Sequence, residues 1–335
     1  MKIESHFRSI DMKTLICVGL LWSSALAAET GIAWRRDYGA ALVQAQRQRR
    51  LLVVHFWLEG RPLVQTMNAE TFAHPEVVKL SNEKFLNVKV NIDSRPELFE
   101  KTVGGRGGLA TCILDAGGDV VSVLPGYADA PAYLQFLMKA EKGYVKLKAA
   151  RAAAGKSPRD VGALCRLAET YEELGSPRRA EQEFENVIRL GSRGPAGDAG
   201  RFVCLGHERV ARFCALRGRN LDARKHVAAY RQADPDNRVG RLDRILLTEA
   251  LIFWIERRFS DSTRALEEGM QRFPSSAERD RMLLALGVVL HESGNDPKAL
   301  EALGKLIKEY PVSPILAQAR EQIAHIKNPP PDHQH

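Results

Sequence analysis

The stretch LLVVHFWLEGRPLVQTM, Leu51 to Met67, decides how the first half of the chain reads. Its first seven residues form an unbroken apolar run, the pattern of a strand covered on both faces. A helix is expected next, over about residues 62–82, with Met67, Phe72, Val77, Val78 and Leu80 as inner-face candidates. On the other side, GIAW (31–34) reads as a short strand. Residues 35–49 carry Tyr38, Leu42 and Ala45 at helical spacing. Further on, FLNVKVNI (85–92) alternates with period two and a short helix falls near 95–102. ATCILD and GDVVSVLPG read as two strands turning at Gly117-Gly118, and a helix closes the series over about 129–142. The order βαβαβαββα implies a central mixed sheet with helices on both faces.

Several residues in that order carry a likeness. They are Trp34, Ala41, LLVVHFW, Phe72, HPEVV (74–78), Phe85, VKVNID (88–93), GGRGGLA (104–110), ILD (113–115) and Gly126-Tyr127. Over about residues 31–142 the chain resembles exported single-domain members of the thioredoxin superfamily. The resemblance implies an α/β thioredoxin-like domain with a redox dithiol at the start of the helix after the second strand. This chain departs from the family there. In register, the two family cysteines fall on Arg61 and Val64, the buried acid on His55 and the cis-proline on Leu109. Disulfide exchange needs an attacking thiolate and a resolving thiol. Arginine stays protonated, and valine has no lone pair to offer. A cis bond before a non-proline costs about 2.5–4 kcal/mol, so a trans bond is expected at Leu109. The expectation is the fold without the activity.

Two residues around this loop, Arg61 and Trp57, each keep two readings. Arg61 is a solvated arginine or a holder of an anionic ligand or peptide carboxylate. Trp57 is edge packing or a platform for a peptide, and His55 is a hydrogen-bonded core histidine. GGRGG (104–108) lacks the strand-then-helix setting of a phosphate loop and reads as a permissive loop.

From about residue 129 onward strand signals vanish. Residues 143–160 read as a helical or flexible connector. LCRLAETYEELGSPRRAEQEFENVI then places Leu164, Leu167, Ala168, Tyr171, Gly175, Ala180, Phe184 and Val187 at the offsets of a tetratricopeptide (TPR) repeat. LLALGVVLHESGNDPKALEALGKLIKEYP repeats the pattern from Leu283 to Pro311, and two weaker copies lie between them. The resemblance is to an all-α TPR-like helical solenoid of four repeats over 161–327, starting near 161, 204, 243 and 280, with GSRGPAG (191–197) as an enlarged loop. Such helix pairs bury their apolar faces only by stacking, and the stack presents a groove lined by first helices. Residues expected to face it include Glu169, Glu172, Glu208, Arg212, Arg244, Leu251, Trp254, Arg281 and His291.

The 335 residues carry a formal net charge of +8, but Lys and Arg are scattered without a basic run, so no nucleic-acid partner is expected. LICVGLLWSSALA (15–27) is a short apolar run behind Lys13 that ends in Ala25-Leu26-Ala27, the form of a cleaved secretory signal. Export to the periplasm or the exterior is expected, with cleavage after Ala27 or Ala28 and no integral membrane segment afterwards. Cys17 sits at the front of the run and is a weak lipid-anchor candidate. Cys112, Cys165, Cys204 and Cys214 remain, without C-x-x-C or zinc-type spacing, so no metal and no cofactor are expected. On one helix, Cys204 and Cys214 would stand about 15 Å apart, against the roughly 7 Å limit for a disulfide. Buried free thiols are the expectation. The tail 328–335, with PPPDHQH, reads as disordered. Taken together, these features favour an exported, non-catalytic scaffold or adaptor that binds an unidentified protein or peptide. The alternative is a thiol–disulfide oxidoreductase or redox chaperone using a non-standard cysteine, Cys112 being the candidate.

Overall fold

The structure is a computed structural model that describes residues 31–104, 108–192 and 198–328. The segment expected to be a secretory signal (with Cys17), most of GGRGG, most of GSRGPAG and nearly all of the tail lie outside the described residues. Contacts divide the chain into two compact units, one ending at Glu141 and the other starting at Lys142.

The first unit is built on a five-stranded mixed sheet in the order β1-β3-β2-β4-β5. The strands are β1 (Trp34–Arg35), β2 (Leu51–Trp57), β3 (Phe85–Asn91), β4 (Ala110–Leu114) and β5 (Val120–Pro125). β3 runs parallel to both β1 and β2, while β4 is antiparallel to β2 and to β5. The unbroken run of β2 is central and covered on both sides. Leu52, Val54 and Phe56 join one core layer with Ala41 and Ala45 of α1 (Tyr38–Gln48) and Phe99 of α4 (Pro96–Thr102). His55 faces the other layer, edge-on to Phe72, which meets Tyr133 of α5 (Ala130–Lys156). α1 starts where the Asp37 carboxylate accepts from the Ala40 N–H. It stops at Arg49, held in the left-handed region at φ 52°. In the β4–β5 hairpin, the Asp115 carboxylate accepts from the N–H groups of Gly117 and Asp119, and Gly118 takes φ 84°.

Two expectations need correction. The helix expected over 62–82 is broken into α2 (Pro62–Thr66), a π turn (Met67–Thr71) and α3 (Pro75–Lys84). Pro75 cannot continue a helix from the preceding turn, and His74 before it is extended, at φ −66° and ψ 127°. The π turn closes through the Phe72 N–H to the Met67 carbonyl at 2.9 Å, and the buried Thr71 hydroxyl donates to the Ala128 carbonyl at 2.7 Å. The helix expected over 129–142 runs on as α5 to Lys156, through most of the stretch read as a connector. LKAARAAAGK is rich in strong helix formers, which favours this continuation.

The second unit is helical throughout its described residues. The pairs are α6 (Val161–Glu173) with α7 (Pro177–Gly191), α8 (Asp198–Leu216) with α9 (Asn220–Ala233), α10 (Leu242–Ile255) with α11 (Phe259–Arg272) and α12 (Arg279–Glu292) with α13 (Asp296–Glu309). Successive pairs stack through α7–α8, α9–α10 and α11–α12, first helices neighbour one another, and α14 (Leu316–Lys327) packs on α12 and α13. This is a TPR-like solenoid. The second pair begins at Asp198, earlier than the expected 204. α14 is a single helix beyond the fourth pair.

Small residues set the spacing within pairs. A Cβ on Gly287 would stand 2.5 Å from Leu303 Cγ, so only glycine allows α12 and α13 this approach. Between pairs, polar links are added to apolar packing such as Phe184 of α7 against Phe213 of α8. Arg212 on α8 pairs with Glu172 on α6, and Arg217 at the end of α8 with Glu181 on α7. Arg231 on α9 pairs with Glu249 on α10 at 2.7 Å, and Arg244 on α10 with Glu278 before α12 at 2.8 Å. One link occurs twice at the 37-residue repeat. Ser276 donates to Asp243 at 2.5 Å, and Ser313 donates to Asp280 at 2.6 Å. Each serine oxygen also accepts an N–H from two residues on. Among the described residues no helix is long and apolar enough to cross a membrane.

Candidate functional site

A cavity of 380 Å³ opens along three consecutive first helices of the second unit. Each helix contributes one face at i, i+3 or i+4, and i+7. α8 gives Arg209, Arg212 and Leu216, α10 gives Leu247, Leu251 and Trp254, and α12 gives Arg281, Leu284 and Val288. The spacing follows from 3.6 residues per turn, so a helix presents one such row to one side. The wall is mostly aliphatic, and Leu216 at its end is 63% exposed. Trp254 is half-buried, packing on the core behind it while also lining the cavity.

Charge sits at defined points of this wall. Glu278 is 4% exposed and held between Arg244 at 2.8 Å and Arg281 at 2.5 Å. The two arginines supply the partners that a buried carboxylate needs. Glu208 is buried more completely, at 1% exposure, and neither carboxylate oxygen has a hydrogen-bond partner. Arg209 Nε lies 3.5 Å from it without hydrogen-bond geometry. Burial pushes the Glu208 pKa up, against the pull of Arg209, Arg244, Arg212 and Arg241. The cavity therefore offers an aliphatic slot, an aromatic side and two carboxyl oxygens without a partner.

The structure gathers Glu208, Arg212, Arg244, Leu251, Trp254 and Arg281 of the expected groove residues on this one wall. Glu172 stands beside it, clamped by Arg212 and by Arg209 at 3.4 Å. Glu169 is half-buried on α6 and does not line the cavity. His291 is a packing residue, 3% exposed, with Nδ1 2.6 Å from Asp296 and its ring edge-on to His325. Glu278 was missed in the sequence because it lies in the loop before α12, outside any helical row. Its only signal is the acid three residues before Arg281.

In the first unit, Arg61 is exposed at the start of α2, Val64 is buried one turn on, and Trp57 is half-buried at the end of β2. Leu109 precedes β4 with its carbonyl bonded to the Gly126 N–H at 2.7 Å, and no described peptide bond is cis. His55 is buried, with Nδ1 3.0 Å from Thr111 Oγ1 across the β2–β4 ladder. Desolvation, reinforced by Lys89, lowers its pKa to about 3. Cys112, Cys165, Cys204 and Cys214 are free and buried. Burial pushes the Cys112 thiol far above its ordinary value and the Cys165 thiol up to about 12. The same cause raises Cys204 and Cys214. No described group of three or more His, Cys, Asp and Glu residues is arranged to hold a metal ion.

No family model matches the chain, and no curated protein does. Solved structures match its two parts separately. A thioredoxin from Thermus thermophilus is 26% identical, covering 32% of this chain and 85% of its own, with a TM-score of 0.29. A putative disulphide-isomerase from Bacteroides thetaiotaomicron is 24% identical, covering 33% of this chain and 93% of its own, at 0.31. A MamA protein is 12% identical over 54% of this chain and 96% of its own, at 0.38. The chain is thus similar to thioredoxin-like proteins over about a third of its length and to MamA over about half.

Proposed function

We propose that this protein is an exported, non-catalytic adaptor whose helical repeats bind a segment of another protein in the groove of α8, α10 and α12. The observation that carries the reading is the apolar wall of Leu247, Leu251, Trp254, Leu284 and Val288, left open beside ordered arginine–glutamate pairs. Pockets that bury an apolar anchor inside a polar rim are where binding energy concentrates. The groove takes an apolar side chain of the partner, and Glu208 accepts a hydrogen bond from that segment. Export rests on the apolar run before Ala27. A nucleic-acid partner has little support, because many arginines are already paired with carboxylates.

The test is selection of displayed peptides on the full chain, followed by calorimetric titration of the selected sequences. Trp254→Ala and Leu251→Ser should weaken binding by about tenfold or more, while Leu221→Ala, 78% exposed on α9, should not. Equal affinity in all three variants removes the groove from the function.

The alternative, thiol–disulfide exchange through Cys112 or another thiol, is opposed by burial. Exchange needs an accessible thiolate, and all four described thiols are buried with raised pKa values. Reduction of insulin disulfides that disappears on Cys112→Ser would restore it.

A further inference from the structure

A second cavity, of 280 Å³, lies in the first unit beside the loop that follows β2. Two of its wall residues, His55 and Lys89, are register neighbours on the parallel strands β2 and β3. Lys89 is half-buried. Its ammonium lies 4.9 Å from the Trp34 ring centre and 5.1 Å from that of Phe72, and it donates to Asn68 Oδ1 at 2.6 Å. Among the described residues no carboxylate pairs with it. Desolvation alone lowers its pKa, as for a cation held away from water without a counter-ion. His55 has its Nδ1 occupied by Thr111, while its Nε2 is buried without a partner. In the tautomer whose Nδ1 accepts from the Thr111 hydroxyl, Nε2 carries the hydrogen and is itself a donor. Arg61 stands at the exposed edge, as does one carboxylate, Glu59.

We propose that this cavity is a binding site for a carboxylate, held by the Lys89 ammonium and the His55 Nε2–H, with Arg61 at its mouth. The charge balance selects the class. His55 stays neutral at physiological pH, so the interior offers one positive charge and one neutral donor. That matches a monoanion, whereas a phosphate dianion would bring an uncompensated charge into a desolvated site. Trp57 and Leu58 offer apolar surface to the rest of the ligand. The carboxylate can come from the C-terminus of a chain or from an aspartate or glutamate side chain. The site does not depend on the groove reading, because the two lie in different units.

The test uses the full chain labelled with nitrogen-15 at histidine. Acetyl-dialanine with a free C-terminus, acetyl-glutamate amide, acetyl-dialanine amide and inorganic phosphate are titrated separately while the His55 ring nitrogens are followed. A saturable shift at His55 Nε2 with the first or second probe, absent with the amide, is expected, and whichever saturates identifies the source. Lys89→Met should weaken it by about tenfold or more, and Arg61→Ala, an exposed change, by less. Trp254→Ala should leave it unchanged. No shift with either carboxylate on the wild-type chain overturns the proposal whatever the variants do. So does a response to phosphate alone, or an equal response in a Lys89→Met variant that retains its circular dichroism. If Glu59→Gln alone moves the Nε2 resonance, the occupant is the chain's own Glu59 and the ligand site is refuted.

Discussion

Gly287 and Gly304 lie in the same helix pair, and the structure assigns them opposite responses to alanine. On Gly287 a Cβ would meet Leu303 at 2.5 Å to Cγ and 2.7 Å to Cδ2, and Leu303 is completely buried. Because Leu303 is buried against that position, α12 and α13 must separate or the leucine must change its rotamer. Overpacking of this kind costs about 1–3 kcal/mol. Alanine recovers about 1 kcal/mol of helix propensity over glycine, so Gly287→Ala should destabilise by roughly 0–2 kcal/mol net. Gly304 is exposed on α13 with nothing within 4 Å of its would-be Cβ. There only the propensity gain remains, and Gly304→Ala should stabilise by about 0.5–1 kcal/mol. The assay is urea denaturation of the full chain by far-ultraviolet circular dichroism, reading the midpoint of the helical transition. Truncating the obstruction in Gly287→Ala/Leu303→Ala should cost less than the two single changes summed, because the new methyl occupies part of the space vacated. If both glycine variants shift the midpoint the same way, or the double variant is simply additive, the close approach does not limit the packing of this pair.

Removing the Glu278 carboxylate with Glu278→Ala should cost about 1.5–3 kcal/mol, since two arginines lose a buried charged acceptor, and a cost below measurement error would refute the ordered triad. The His207 and His226 Nδ1 atoms lie 2.9 Å apart, and burial with mutual repulsion lowers His207 to about 4. Its folded pKa lies below the unfolded one, so the stability linked to it is whole above about pH 6.5 and lost as pH falls toward 4. The wild-type minus His207→Ala stability difference should therefore shrink as pH falls across that window, and a difference independent of pH would refute the assignment. Alkylation by iodoacetamide in native buffer should leave Cys112, Cys165, Cys204 and Cys214 unmodified until denaturant is added. Mass spectrometry showing rapid native labelling of any of them would contradict their burial.

Legibility in the sequence followed the range of the interaction involved. LLVVHFW revealed a doubly covered strand because burial on both faces needs nothing but an unbroken apolar run. The repeat offsets from Leu164 to Val187 revealed helix pairs because each offset is a contact within about one turn–turn unit. His74-Pro75 carried a legible break, but the apolar spacing through Phe72 and Val77 outweighed it. The groove wall was half visible. First-helix position placed Arg212, Leu251 and Trp254, whereas Glu278 entered from a loop whose path no periodicity describes. Lys89 was read only as one beat of an alternating strand. Its significance comes from the β2–β3 register, which sets it beside His55, and register belongs to two segments together.

The arginine–glutamate and serine–aspartate links between successive helix pairs have a consequence for how the chain could evolve or be rebuilt. Within a pair the interior is apolar, a character that every pair shares. At the junctions Arg217–Glu181, Arg231–Glu249 and Arg244–Glu278 differ in position, and the later pair supplies the cation in the first while the earlier pair supplies it in the other two. A module moved to a new place would present its charges to the wrong neighbour. The order of the pairs is thus written in their seams, and only the last two junctions, which share the serine–aspartate clasp, are candidates for insertion of a duplicated pair.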